Sequence, residues 1–212
     1  MIKKIVENNW VYMLLILIVI LIFNHVMNSE AYSKIIEMDN NFFSIIEEFR
    51  SDFLTVLFKI FTTFGNIYIP LVILVCLLIF FKNKWIFLLQ SSSYAIAGLI
   101  TYLAKIIVAR PRPMTALIKI PSSYSFPSGH TLTSIIFYVM LVYLLSYNSK
   151  KEVRNALIVI ASVFSLCIAF SRPYLGVHFL SDILGGIILG VPILLVLINI
   201  VNKIFNKKLS GK

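Results

Sequence analysis

Apolar residues run along this chain in long blocks rather than at alternating positions, and short polar or basic stretches separate the blocks. Blocks at about 10–23, 66–81, 85–108, 130–147, 153–170 and 179–204 approach or exceed the length that spans a bilayer as a helix. The pattern therefore predicts an all-α, polytopic membrane bundle of six spans. Residues 28–52 break it. There, Ile35, Ile36, Phe42, Phe43, Ile45, Ile46 and Phe49 are interleaved with Glu30, Lys34, Glu37, Asp39, Glu47, Glu48, Arg50 and Asp52. That suits an amphipathic segment lying on the membrane, either a cover for a site or a solvated connector with a few anchoring aromatics. The apolar run that follows is too long for one straight span and is interrupted by Gly65-Asn66, which makes 53–65 an interfacial piece and Asn66 the start of a span. Ser91, Ser92, Ser93 and Gly98 in the third block, and Gly185, Gly186 and Gly190 in the sixth, predict close helix contacts.

Composition agrees with this pattern. Of 212 residues 59% are hydrophobic and 13% charged, with a mean hydropathy of +0.94. A soluble domain of this size rarely reaches such values. The net charge of +10 could point to nucleic acid, but the lysines cluster in the turns between apolar blocks, as the positive-inside bias requires. Lys3, Lys4, Lys82, Lys84, Lys150, Lys151, Arg154, Lys203, Lys207, Lys208 and Lys212 all fall on one side of a six-span alternation, which is then cytoplasmic, with both termini. The segments 24–52, 110–128 and 171–178 face outward. The first block is read as a retained helix, since no good small-residue cleavage site follows it. Cys76 and Cys167 lie within apolar blocks and read as small hydrophobes.

Three polar clusters reach the outward side. Ser171-Arg172 through His178 to Asp182 brings ionisable groups to the edge of a membrane core, where they default to function. A helix starting near Val177 would put His178 and Asp182 on one face, so that the carboxylate sets the ring tautomer and leaves the other nitrogen free to attack. Arg172 supplies a fork of donors suited to phosphate. An Arg–Asp pair closing a helix end, with an incidental histidine, is the plainer alternative. Pro127-Ser128-Gly129-His130 opens a span; a helix N-terminus attracts anions and Gly129 permits close approach, although Ser128 could equally be an ordinary N-cap. Lys105, Arg110 and Arg112 form the third cluster, in which Lys105 could merely reach for headgroups. Together they offer cations, helix N–H donors and two histidines, without a convergent set of metal ligands, and metal-free phosphoryl transfer fits.

At these residues the chain resembles the type 2 phosphatidic acid phosphatase superfamily of membrane lipid phosphatases. The family pattern Lys-x6-Arg-Pro, Pro-Ser-Gly-His and Ser-Arg-x5-His-x3-Asp is met by Lys105 to Arg112-Pro113, by residues 127–130, and by Ser171-Arg172 through His178 to Asp182. The resemblance implies that His178 is the nucleophile, that Asp182 orients it, and that His130 protonates the leaving oxygen. It implies that Lys105, Arg112 and Arg172, with Ser128 and the Gly129 N–H, hold the phosphate. The doubled Arg-Pro is a departure: spacing from Lys105 selects Arg112 and leaves Arg110 with a supporting contact, a headgroup contact or no role. The implied function is metal-independent and cofactor-free hydrolysis of a lipid phosphate or pyrophosphate at the outer face of the cell membrane. Undecaprenyl pyrophosphate is the first expected substrate, and phosphatidylglycerophosphate or phosphatidic acid the second. Residues 1–212 are read as one domain, with 28–65 the extracytoplasmic segment and 105–182 the catalytic motifs. The partners are then the lipid substrate and the bilayer, not nucleic acid. An anion transporter would need a polar path to the cytoplasmic side, and the apolar lower halves of spans four to six offer none.

Overall fold

The computed structural model describes residues 9–210, with side chains from 10 to 205. Among the described residues eight helices follow one another: α1 Asn9–Met27, α2 Ala31–Glu48, α3 Asp52–Phe64, α4 Tyr68–Phe80, α5 Lys84–Val108, α6 Gly129–Leu145, α7 Lys151–Tyr174 and α8 Leu180–Ser210. Helices α1, α5, α7 and α8 are each long and apolar enough to cross a membrane. Helices α3 and α4 meet that standard only as a pair, bent by 46° at the Gly65-Asn66 break. Helix α6, of 17 residues, is apolar but shorter.

The shortness of α6 follows from its place. It packs against α5, α7 and α8 at the centre of the bundle, and Leu132, Ile136, Phe137 and Met140 are wholly buried. The outer helices are the reverse of a soluble fold. Leu14, Leu17 and Leu21 of α1, Leu71 and Val75 of α4, Leu99 and Leu103 of α5, and Val159 and Val163 of α7 are all exposed. Contiguous apolar surface on this scale is stable only against lipid. Helix α5 meets its neighbours along Ser93, Ala97, Thr101, Ala104 and Val108, spaced four, four, three and four apart on one buried stripe of mostly small side chains. Gly98 is not part of it: a Cβ there would meet nothing within 4 Å, so the expected close contact is absent because Gly98 lies on the outward face. In α8 a Cβ on Gly185 would fall 2.1 Å from Phe126, and one on Gly186 2.9 Å from Thr131, so there the expectation of close packing holds.

Two boundaries differ from those the apolar blocks predict. Helix α7 does not stop at 170 but continues through Ser171, Arg172 and Pro173 to Tyr174. Helix α8 starts at Leu180, so no helix begins near Val177 and His178 stands in the connection before it. The polar residues tolerate helical geometry because α2 and α3 cover them. Tyr174 and Leu175 pack with Ile46, Phe42 and Phe58, and the Tyr174 hydroxyl accepts the Ser51 N–H at 3.1 Å. The segment 28–52 is thus largely helix α2, docked by a face that includes Asp39 and Ile46, rather than a solvated connector.

The ends of α5 and α7 and the starts of α6 and α8 gather the three polar clusters, while the basic turns at 82–84 and 148–154 lie at the other ends of these helices. Lys3, Lys4 and Lys212, on which the predicted orientation also leans, lie outside the described residues, as do the side chains of Lys207 and Lys208.

Candidate active site

The first turn of α8 decides how His178 and Asp182 meet. Asp182 Oδ2 accepts the Phe179 N–H at 2.9 Å, the reach-back of an acidic residue from the third helical position to the residue that caps the helix. The same oxygen lies 3.3 Å from His178 Nδ1. The pair therefore forms across a cap and not along one helical face, as the spacing alone would have it. Ser125 also donates its hydroxyl to Asp182 Oδ2. With its proton on Nδ1, His178 presents a bare Nε2, which takes the Arg112 Nη1 donor at 3.0 Å. His178 is buried, and burial lowers its pKa to about 3, against the opposing pull of Asp182. The ring is neutral and its Nε2 lone pair is available across the ordinary pH range.

Three cations lie together here, with Arg112 on that nitrogen and Lys105 and Arg172 within electrostatic reach of Arg112. Arg112 is held by the carbonyls of Ser123 (2.6 Å), Val177 (2.7 Å) and Tyr124 (3.2 Å). Lys105 Nζ donates to the Tyr124 carbonyl and, at 3.2 Å, to that of Ser125. Arg172, only 3% exposed, gives Nη1 to Thr62 Oγ1 at the end of α3, and its Nε has no partner. Among the described residues none of these three has a carboxylate within ion-pair distance, since Asp182 pairs with Arg110 and His178. Cations without counter-charges, one buried and two half-buried, are costly, and the arrangement is complementary to an anion. A cavity of about 210 Å³ beside Arg112 is lined by Asn40, Phe43, Pro113, Met114, Thr115 and Phe179.

His130, the second residue of α6, stands where Lys105, Arg112, Arg172 and His178 are all within electrostatic reach. Its Nε2–H donates to Asn66 Oδ1 at 3.1 Å. The bend between α3 and α4 is therefore part of the site: a Cβ on Gly65 would fall 2.4 Å from the His130 ring, and only glycine lets the break pass so close. Ser128 is the N-cap of α6, accepting from the Thr131 N–H (3.4 Å) and from Thr131 Oγ1 (3.0 Å), which leaves its own hydroxyl hydrogen uncommitted. A Cβ on Gly129 would meet Thr101 at 3.4 Å and Lys105 at 4.0 Å, ordinary contacts, so packing alone does not require glycine there. Among the described residues no three His, Cys, Asp or Glu side chains are grouped as metal ligands.

The structure thus brings Lys105, Arg112, Ser128, Gly129, His130, Arg172, His178 and Asp182 to one end of the bundle. Of the roles left open for Arg110, the structure shows the supporting contact. That side chain is fully buried and bridges Asp182 and Asp39, each at 2.7 Å. Burial opposes its charge, but Asp182 and Asp39 outweigh that effect and raise its proton affinity above the ordinary guanidinium value. Ala109, at φ 49°, turns the chain sharply at the end of α5, at a cost of about 1–2 kcal/mol for a residue with a Cβ. Asp39, Thr62, Asn66 and Ser125 also belong to the site and were missed. Of these only Asn66, beside a glycine at a predicted break, stood at a position the pattern marked.

An integral membrane helical bundle with, at one end, cations that have no carboxylate partner among the described residues beside a carboxylate-paired histidine defines a membrane protein whose site is complementary to an anion. The comparisons with known proteins agree: residues 86–206 match the PAP2 superfamily model, and the chain belongs to that superfamily. It is 34% identical over 128 residues to phosphatidylglycerophosphatase B of Bacillus subtilis, covering 58% of this chain and 62% of that protein. It is 29% identical over 133 residues to an undecaprenyl-diphosphatase of Sulfolobus acidocaldarius, covering 60% and 61%. These matches span about three fifths of the length of each relative. The crystal structure of a transmembrane PAP2-type phosphatidylglycerolphosphate phosphatase from Bacillus subtilis superposes with a TM-score of 0.79 at 26% identity, over 89% of this chain and 95% of the other. LpxE of Aquifex aeolicus gives a TM-score of 0.57 at 25% identity, over 74% and 93%.

Proposed function

We propose that this protein is a membrane lipid phosphatase that hydrolyses a lipid phosphate or pyrophosphate through a phosphohistidine intermediate, without a metal. What carries the reading is the set of three cations, Lys105, Arg112 and Arg172, that lack carboxylate partners among the described residues and cluster beside a histidine whose Nε2 takes the Arg112 donor and whose Nδ1 faces Asp182. A phosphate placed there takes over the Arg112 donor now on Nε2, and the freed lone pair attacks phosphorus. The N–P bond forms as the bond to the leaving oxygen breaks, and His130 gives that oxygen a proton. Asp182 stabilises the positive charge that grows on the His178 ring. Water then attacks phosphorus, His130 takes its proton, the N–P bond breaks and inorganic phosphate leaves with Nε2 restored. The cations bind the non-bridging oxygens more tightly as charge redistributes, with the Ser128 hydroxyl and the Gly129 N–H beside them.

A lipid substrate suits a polar site at one end of a bundle whose flanks are apolar. Undecaprenyl pyrophosphate remains a candidate. Phosphatidylglycerophosphate stands beside it, because the more similar of the two relatives named above carries that activity in its name. The test is phosphate release in detergent with chelator present, across a panel of lipid phosphates and pyrophosphates. Release without added metal is expected, with one class clearly preferred; a requirement for divalent metal would overturn the mechanism.

The same reading takes α3 and α4 as one bent crossing and α6 as a short one, which makes six spans, with the site facing outward and both termini in the cytoplasm. Basic turns at the end of the bundle opposite the site support that orientation. A cysteine introduced as Ser123→Cys, beside Arg112, should react with an impermeant thiol reagent on intact cells. Reaction only after permeabilisation would invert the topology.

A further inference from the structure

Helix α2 lies outside the residues that match the family model, yet it places a charged side chain in the innermost part of the site. Asp39 sits mid-helix and is 1% exposed. An aspartate there has no capping role in its own helix, and burying it is unfavourable unless it is fully paired. Its partners are all at the site. Oδ1 accepts the Ser181 N–H at 2.9 Å, in the first turn of α8. Oδ2 accepts from Ser181 Oγ at 2.6 Å and from Arg110 Nη2 at 2.7 Å. Arg110 turns its other terminal nitrogen to Asp182 Oδ1 at 2.7 Å and to Ser181 Oγ at 2.6 Å. Its guanidinium lies over the Phe179 ring at 4.2 Å.

From this arrangement we infer that Asp39 is a positioning residue for the nucleophile, acting through Arg110 and Asp182 on His178. The inference rests on the phosphatase reading above. Two physical effects follow from the geometry. Asp182 Oδ2, which faces His178, also takes the Phe179 N–H and the Ser125 hydroxyl, while Oδ1 takes Arg110, so a guanidinium held fast by Asp39 anchors the other end of the carboxylate and helps keep Oδ2 on Nδ1. The second effect is charge. With Asp39 present, the cluster of two carboxylates and one guanidinium is a net anion facing the imidazole. Without it, Arg110 neutralises Asp182, and the positive charge that develops on His178 during transfer meets only a dipole. A residue that merely docked α2 would affect stability and leave both features of His178 unchanged.

The decisive variant is Asp39→Asn, which keeps shape and removes charge. On the preferred lipid of the panel, kcat is expected to fall on the order of 10- to 100-fold, the usual cost of losing an outer partner of a catalytic group, with KM unchanged. In protein labelled with 15N-histidine, the His178 ring should lose its single Nδ1–H form and show a mixture of tautomers. Asp39→Glu, which restores the charge, should recover part of kcat and of the Nδ1–H signal. Wild-type kcat and an unchanged His178 tautomer in a folded Asp39→Asn protein would overturn the inference and leave Asp39 a strut. Should Asp39→Asn fail to fold, Arg110→Lys takes its place: the charge stays but one ammonium replaces the fork, and an undiminished kcat there would equally overturn it. The tautomer measurement needs no turnover. A wild-type protein that released no phosphate from any lipid would defeat the phosphatase reading while leaving the Asp39–His178 linkage open to measurement.

Discussion

His178→Ala is expected to abolish phosphate release, lowering kcat by about 10⁴-fold or more, while the protein still folds and elutes as wild type. The reason is local. His178 contributes a nitrogen and a contact to Asp182, whereas the helix cap at the start of α8 is made by Asp182 and the Phe179 N–H and survives the change. Wild-type protein quenched during turnover should carry labelled phosphate in an acid-labile, base-stable bond, as a phosphoramidate does, and the variant should carry none. Appreciable activity in His178→Ala would remove this residue as nucleophile. The pH profile supplies a related check. Because burial holds the His178 pKa at about 3, lowering the pH from 7 to 5 leaves its Nε2 unprotonated. Loss of rate across that interval is expected to come from another group.

Arg110→Ala should act on folding as strongly as His178→Ala acts on chemistry. The change leaves Asp39 and Asp182, both with side chains of 0% exposure, without the cation that each contacts at 2.7 Å. Breaking such a buried pair by removing one partner typically costs about 3–5 kcal/mol, because the remaining charge has no water to turn to. Thermal melting in detergent should show a large drop in midpoint, or the protein should fail to accumulate. Arg112→Ala, two residues on, is expected to melt close to wild type. Its side chain is partly exposed and its donors go mainly to loop carbonyls, so its loss should be felt in catalysis. Equal melting of wild type and Arg110→Ala would mean that the charge network contributes little to the fold.

The contrast between these neighbouring arginines measures what could be read from the chain. Spacing from Lys105 selected Arg112, which the structure places on His178 Nε2, yet gave no hint that Arg110 holds Asp182. That role depends on Asp39, 71 residues away along the chain. Asp39 itself had no distinguishing mark among the eight charged residues of 28–52. An acidic residue in an amphipathic stretch reads as solvated until the helix is docked. Similarly, four-residue spacing predicted that His178 and Asp182 meet, but the contact arises from a helix cap, because the chain bends at Gly176, with φ +73°, and the helix begins only at Leu180.

What the residues alone determined is whatever depends on near neighbours and on solvent preference: the membrane bundle, from apolar runs that only lipid can cover, and the set of polar side chains that gather at one end of it, from motifs in which spacing is the signal. Tertiary structure decided which of the buried charges are spent on one another. Arg110, Asp39 and Asp182 compensate among themselves, and among the described residues Lys105, Arg112 and Arg172 are left without a carboxylate at ion-pair distance. That division is settled by contacts of a few ångströms between helices, since in a low-dielectric interior charges must find partners and the choice of partner is a matter of packing, not of order along the chain.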